Sequence, residues 1–215
     1  MSDAAASIRR ALAGADARTE PYRHWLLAEV LPGEAVSAIL ALPFPPPEIG
    51  ETAGRRETHN STRRFFAPEE QARHPVCGAL AAAWQAPDTI AAIEAMCGVD
   101  LGGSLLRIEY CQDRDGFWLE PHTDIGAKFF TMLVYLADPP AGEDWGTDIF
   151  ASPDEYVGSA PARRNAGLIF IPGENTWHGF RQRPISGVRR SLIVNYVTPD
   201  WRSRHELAFP DKPVA

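Results

Sequence analysis

Cysteine is scarce in this chain: Cys77, Cys97 and Cys111 are three of 215 residues, an odd number without paired spacing. That excludes a disulfide framework as the organising device and predicts a reducing compartment, with the thiols buried as core residues. Basic excess is lacking as well. Lys and Arg number 21 against 28 Asp and Glu, giving a formal net charge of −7 and a pI near 5.4, so a broad basic face for duplex nucleic acid is not expected. No apolar run reaches membrane-spanning length, and Met1 to Glu20 is interrupted by Arg9, Arg10, Asp16 and Arg18 where a secretory segment would need a continuous apolar stretch. A cytoplasmic protein without a membrane partner is the expectation. The chain also has no P-loop, dinucleotide-binding Gly fingerprint, Ser-His-Asp nucleophile signature or solenoid-type repeat.

What is present suits one substantial core. With 45% hydrophobic residues, 21–215 is expected to form a single domain behind a flexible or helical tail over 1–20. In that tail, Ile8 and Leu12 are the large apolar positions. The first half predicts Trp25 to Leu31 as a strand and Glu34 to Leu42 as a helix carrying Val36, Ile39 and Leu40 at helical spacing. Pro43, Pro45, Pro46 and Pro47 then make a stiff extended bend. Residues 55 to 66 read as an edge strand, on which His59, Asn60 and Arg64 are weighed as substrate-facing against plain solvation. Two helices follow, Pro75 to Trp84 and Pro87 to Cys97, the second with Gly98 as its C-cap. From 104 onward short β-branched and aromatic runs alternate with Gly, Pro and Asp turns. Helices first and strands afterwards predict a mainly β fold, a double-stranded β-helix (jelly roll) with the N-terminal helices packed on one face. The 152 to 166 connection is long enough to serve as a lid.

One ordered set of residues carries chemistry: His122-Thr123-Asp124, then His178, then Arg189-Arg190-Ser191. A His and an acid two apart share a strand face, and a distant His can complete three ligands. Two His and one carboxylate leave further positions of an octahedral metal open, the arrangement used by non-haem Fe(II) oxygenases. Six His among 28 acidic residues would give about 0.8 His-x-acid matches by chance, so the motif alone could be a surface turn. Its order among strands adds weight. Phe117 to Leu119 precede it, Phe129 to Leu136 follow, and Arg189 opens the apolar run Ser191 to Val197. Arg189 offers a planar fork that fits a carboxylate, and strand alternation sends Arg190 to the opposite face. His24, His59, His74 and His205 are assigned no metal role.

Over about 104–198 this set resembles the 2-oxoglutarate- and Fe(II)-dependent dioxygenases, in their prolyl-hydroxylase-like branch. The resemblance implies Fe(II) on His122, Asp124 and His178, with 2-oxoglutarate and O₂ as co-substrates. It puts the far carboxylate of 2-oxoglutarate on Arg189, helped by Ser191 and Tyr135, with Tyr110 also near the co-substrate; core packing is the competing reading of both tyrosines. It further implies hydroxylation of a C–H bond with release of succinate and CO₂, the substrate being a protein side chain or a small molecule. Asp124 argues against halogenation, since halogenases of this type have a small residue there. Trp145-Gly146-Thr147-Asp148 departs from the Gly-Gly-x-Leu that relatives often show. A cupin-like metal-binding or sensing jelly roll is the alternative, although it would leave Arg189 without a role. The oligomeric state is left open, a homodimer included.

Overall fold

The computed structural model describes residues 3–48, 54–55, 63–124 and 126–215. Within 3–20 the chain forms α1 (Ala4–Ala13) and then the short strand β1 (Asp16–Arg18); α1 is N-capped by Asp3, whose side chain accepts from the Ala6 N–H, and it buries Ile8 and Leu12. It is therefore a packed element and not a loose tail. Pro75 and Pro87 sit in the first turns of α4 (Pro75–Gln85) and α5 (Pro87–Cys97), where a missing N–H costs nothing. Gly98 closes α5 at φ 69, a left-handed conformation that glycine adopts without strain. Between the Pro-rich bend and α4 lies α3 (Pro68–Arg73), a short helix the sequence reading does not anticipate; α2 spans Gly33–Leu40.

Eleven strands form two antiparallel sheets among the described residues. In spatial order the larger holds β1 (Asp16–Arg18), β2 (His24–Leu27), β9 (Gly167–Phe170), β6 (Lys128–Tyr135), β11 (Arg189–Val197), β4 (Leu105–Asp113) and β3 (Arg64–Phe65). The smaller holds β5 (Leu119–His122), β10 (His178–Phe180), β7 (Asp148–Ser152) and β8 (Glu155–Ser159). This is the expected jelly roll. The helices cover one face of the large sheet: Leu80, Trp84 and Ile93 share a core with Ile108, Val194 and Met132. The small sheet covers the other, where Phe170, Leu168 and Leu133 meet Phe180, Trp145 and Ile149.

Several boundaries move. The strand predicted for Trp25 to Leu31 ends at Leu27, because the chain turns at Glu29 with φ 51. Of the edge strand expected over 55–66, Arg64 and Phe65 pair with β4, while His59 and Asn60 lie outside the described residues. The supposed lid is largely structured: β8 folds back on β7, and Ala160 and Ala162 are buried behind it. Cys77, Cys97 and Cys111 are all buried and free, and burial pushes the first two thiols up to about 12. Among the described residues no helix is long and apolar enough to cross a membrane.

Asn165 ties the end of that connection to the core. It sits at φ 66, a conformation Asn tolerates better than most residues. Its side chain accepts from Leu31 N–H at 2.8 Å and donates to Leu31 C=O at 2.7 Å, replacing a missing strand partner. Asn165→Ala leaves both buried backbone groups unpaired and should cost about 2–4 kcal/mol. A urea-denaturation midpoint unchanged from wild type would contradict this role.

Candidate active site

His122 ends β5 and His178 begins β10, and the two are direct cross-strand partners with ring centroids 4.3 Å apart. Gly179 lets the strands meet, since a Cβ there would lie 2.9 Å from the carbonyl oxygen of Leu119. Strand alternation does not deliver the third member as expected. β5 stops at His122, and Asp124 enters from the turn that follows, where Gly126 takes φ 88. One ligand atom from each of His122, Asp124 and His178 nevertheless lies within 4.8 Å of the others.

Both imidazoles are prepared in the same way. His122 Nδ1 lies 2.9 Å from the Glu120 carbonyl oxygen and His178 Nδ1 2.9 Å from that of Thr176. A carbonyl only accepts, so each Nδ1 carries a proton, which leaves Nε2 as the atom each ring can offer to a metal. Burial, and after it the neighbouring His122, push His178 down to about 3, with Asp124 pulling the other way. It is thus neutral, as a metal ligand must be. Asp124 Oδ2 is 3.7 Å from His178 Nε2 and 2.7 Å from Lys128 Nζ, a buried ammonium from the start of β6. Protonated Nδ1 atoms and converging Nε2 atoms and carboxylate fit a divalent metal of the Fe(II) or Zn(II) kind.

The cavity beside these residues runs between the sheets and is lined by β4 and β11. Arg189 and Ser191 both face it. Arg189 is 6% exposed; its Nε donates to Trp145 C=O at 2.6 Å and its Nη1 to Asp113 at 2.6 Å. Ser191 Oγ is buried and has no hydrogen-bond partner among the described residues. An orphaned hydroxyl next to a guanidinium on a cavity wall suits an acidic ligand, because an unmet buried polar group is otherwise costly. Arg190 turns to the helix side, half-buried against Gln112.

The two tyrosines divide: Tyr135 lies beside Arg189 and Tyr110 does not. Tyr110 is a correction: it follows the even-numbered residues of β4 onto the helix face, beside Phe44 and Arg190. Tyr135 shares the sheet face of its strand partner Ser191, its ring centroid 5.9 Å from the Arg189 Cζ, but its hydroxyl is spent on Thr147, donating to Oγ1 at 2.9 Å and accepting from N–H at 3.1 Å, and so does not reach toward a ligand. Thr147 itself lines the cavity. Arg64 stacks toward Phe44, away from the site, and its neighbour Arg63 points in. Four further charged residues at the site carry no motif of their own in the sequence: Arg63, Glu109 and Asp113 line the cavity, and Lys128 pairs with Asp124. The signal for two of them was the alternation that puts Arg107, Glu109 and Asp113 on one face of the strand, opposite Leu106, Ile108 and Tyr110.

No family model and no curated protein matches the sequence. Solved structures do match. A prolyl-4-hydroxylase from Pseudomonas putida superposes with a TM-score of 0.57 at 18% identity, covering 91% of this chain and 94% of that one. A prolyl hydroxylase from Trichoplax adhaerens, in complex with a peptide fragment of the hypoxia inducible factor oxygen degradation domain, gives 0.60 at 12% identity over 93% of this chain and 91% of its own. The viral collagen prolyl hydroxylase of Paramecium Bursaria Chlorella virus-1, a 2-oxoglutarate complex, gives 0.54 at 12% over 81% and 96%. The chain has the fold of these structures over 81–93% of its length.

Replacing His122, Asp124 or His178 singly by Ala should abolish stoichiometric Fe(II) or Mn(II) uptake while far-UV circular dichroism is retained. Calorimetric titration of the three variants at wild-type affinity would refute the metal centre.

Proposed function

We propose that this chain is an Fe(II)- and 2-oxoglutarate-dependent dioxygenase that hydroxylates a C–H bond of a protein side chain or small molecule. The observation that carries the reading is a single cavity holding His122, Asp124 and His178 together with Arg189 and the unpartnered Ser191 hydroxyl. The prolyl-hydroxylase fold supports it. When bound, iron with 2-oxoglutarate and O₂ supplies the oxidising power, one oxygen atom entering the substrate C–H bond and the other leaving in succinate beside CO₂.

The chain's own residues bind and orient. His122 and His178 present their Nε2 atoms, and Asp124 contributes the charge that favours a divalent metal over water. Arg189 holds the far carboxylate of 2-oxoglutarate, its fork fixed by the Trp145 carbonyl so that little rotamer freedom is lost on binding. Ser191 Oγ donates to the same acid group. Phe117, Phe180, Leu133 and Ile193 line the walls and keep water from the reacting centre. The peptide carried by the Trichoplax structure puts peptidyl side chains first among substrates to test.

Succinate release should be measured with peptides, free amino acids and other small molecules. Arg189→Ala should raise the apparent constant for 2-oxoglutarate roughly 30-fold to several thousand-fold, the usual consequence of losing one partner of a buried charge-assisted pair. Arg190→Ala, on the helix face, should leave it nearly unchanged. An exchange of these phenotypes would overturn the assignment, and a wild-type protein that binds metal but never releases succinate would favour a cupin-like metal-binding jelly roll.

A further inference from the structure

Behind Arg189 runs a chain of buried ions that alternate in sign. Asp113 Oδ2 accepts from Arg189 Nη1 at 2.6 Å, and its Oδ1 accepts from Arg63 Nη1 at 2.8 Å. Arg63 Nε lies 3.4 Å from Glu109 Oε1, while Glu109 Oε2 accepts from Arg107 Nη1 at 2.6 Å. Arg107 Nε donates in turn to Glu206 Oε2 at 2.6 Å, in the 3-10 turn Arg204–Glu206. No side chain in this series is more than 9% exposed. Arg63, Glu109, Asp113 and Arg189 all line the cavity.

The order of charges decides what each does to a ligand. A carboxylate arriving at Arg189 meets Asp113 on the same guanidinium, and like charges about 4–6 Å apart disfavour ionised groups. Arg63 acts in the opposite sense, because it holds the other oxygen of Asp113 and draws its charge away from Arg189. Loss of aim is the smaller effect. Arg189 Nε stays anchored on Trp145 C=O, and its Cζ lies 4.6 Å from the centroid of the Phe180 ring, so the guanidinium keeps its orientation without Asp113.

We infer that Asp113 is a specificity-determining residue: an internal carboxylate that competes with the acid end of the co-substrate for Arg189, restrained by Arg63. This rests on Arg189 being the co-substrate anchor. The consequence is a sign alternation that ordinary structural damage does not produce. Neutralising Asp113 tightens binding of a distal carboxylate, and neutralising Arg63 weakens it.

The experiment titrates 2-oxoglutarate and 2-oxobutanoate, which shares the 2-oxo acid head but has no distal carboxylate, into the Mn(II)-loaded full chain by calorimetry. Relative to wild type, Asp113→Asn should bind 2-oxoglutarate on the order of tenfold tighter and Arg63→Met about tenfold weaker, the low end of a charge–charge effect at this range, with 2-oxobutanoate moved by no more than about twofold in either. Asp113→Asn binding at wild-type strength or weaker overturns the inference, and this sign decides alone if Arg63→Met does not fold. Arg189→Met separates the two levels. If it leaves 2-oxoglutarate binding intact, or if wild type does not prefer 2-oxoglutarate to 2-oxobutanoate, the anchor reading falls and the inference with it. If Arg189 is required and Asp113→Asn is not tighter, the inference alone falls.

Discussion

The pleat of β4 and β11 is the constraint on which the rest depends. All residues of β4 are buried, because helices cover one face of the large sheet and the small sheet covers the other. With both sides covered, the period of two sorts chemistry by face. Leu106, Ile108, Leu192 and Val194 meet the helices, and Glu109, Asp113, Arg189 and Ser191 meet the cavity. The sorting is enforced by cost, since a polar atom stranded among the helices would forfeit its hydrogen bonds. Tyr196 illustrates the rule, because its hydroxyl reaches the Trp84 carbonyl at 2.7 Å. A one-residue slip of β11 would carry Arg190 into the cavity and Arg189 into the apolar core. Register and site are therefore one problem, settled together by the ladder that pairs Ser191 with Cys111 on one side and Tyr135 on the other.

This explains which parts of the molecule were legible in the sequence. Element types read well wherever a period was long or punctuated: Pro75, Pro87 and Gly98 mark helix ends by their own backbone chemistry. Arg189 and Arg190 were separable because alternation is a local property. The same rule applied to β4 would have moved attention from Tyr110 to Asp113, whereas likeness to a family pattern favoured the aromatic. Asp124 shows the opposite limit. Two-residue spacing suggested a continuous strand, but a strand end and a turn bring the carboxylate in by a route that spacing cannot distinguish. Arg63, Lys128 and Glu206 were beyond reach for another reason: a charged residue reads as solvated until a distant partner buries it, and Glu206 stands 99 positions from Arg107.

Charge balance then connects the cluster of His122, Asp124 and His178 to the rest of the cavity. Isolated buried charges are expensive, and they persist where partners of opposite sign are supplied at hydrogen-bonding distance. Here Arg63, Lys128 and Arg189 stand against Glu109, Asp113 and Asp124, and Arg107 against Glu206, so the described ionic groups around the cavity sum to zero. A divalent metal alone would disturb that balance, and so would a dicarboxylate alone. Together they cancel. In an enclosed site of low effective dielectric the cancellation carries more weight than it would in water. Under the proposed function this balance would favour the metal and 2-oxoglutarate as a pair over either one separately, with Asp113 on β4 held against Arg189 and Lys128 on β6 against Asp124.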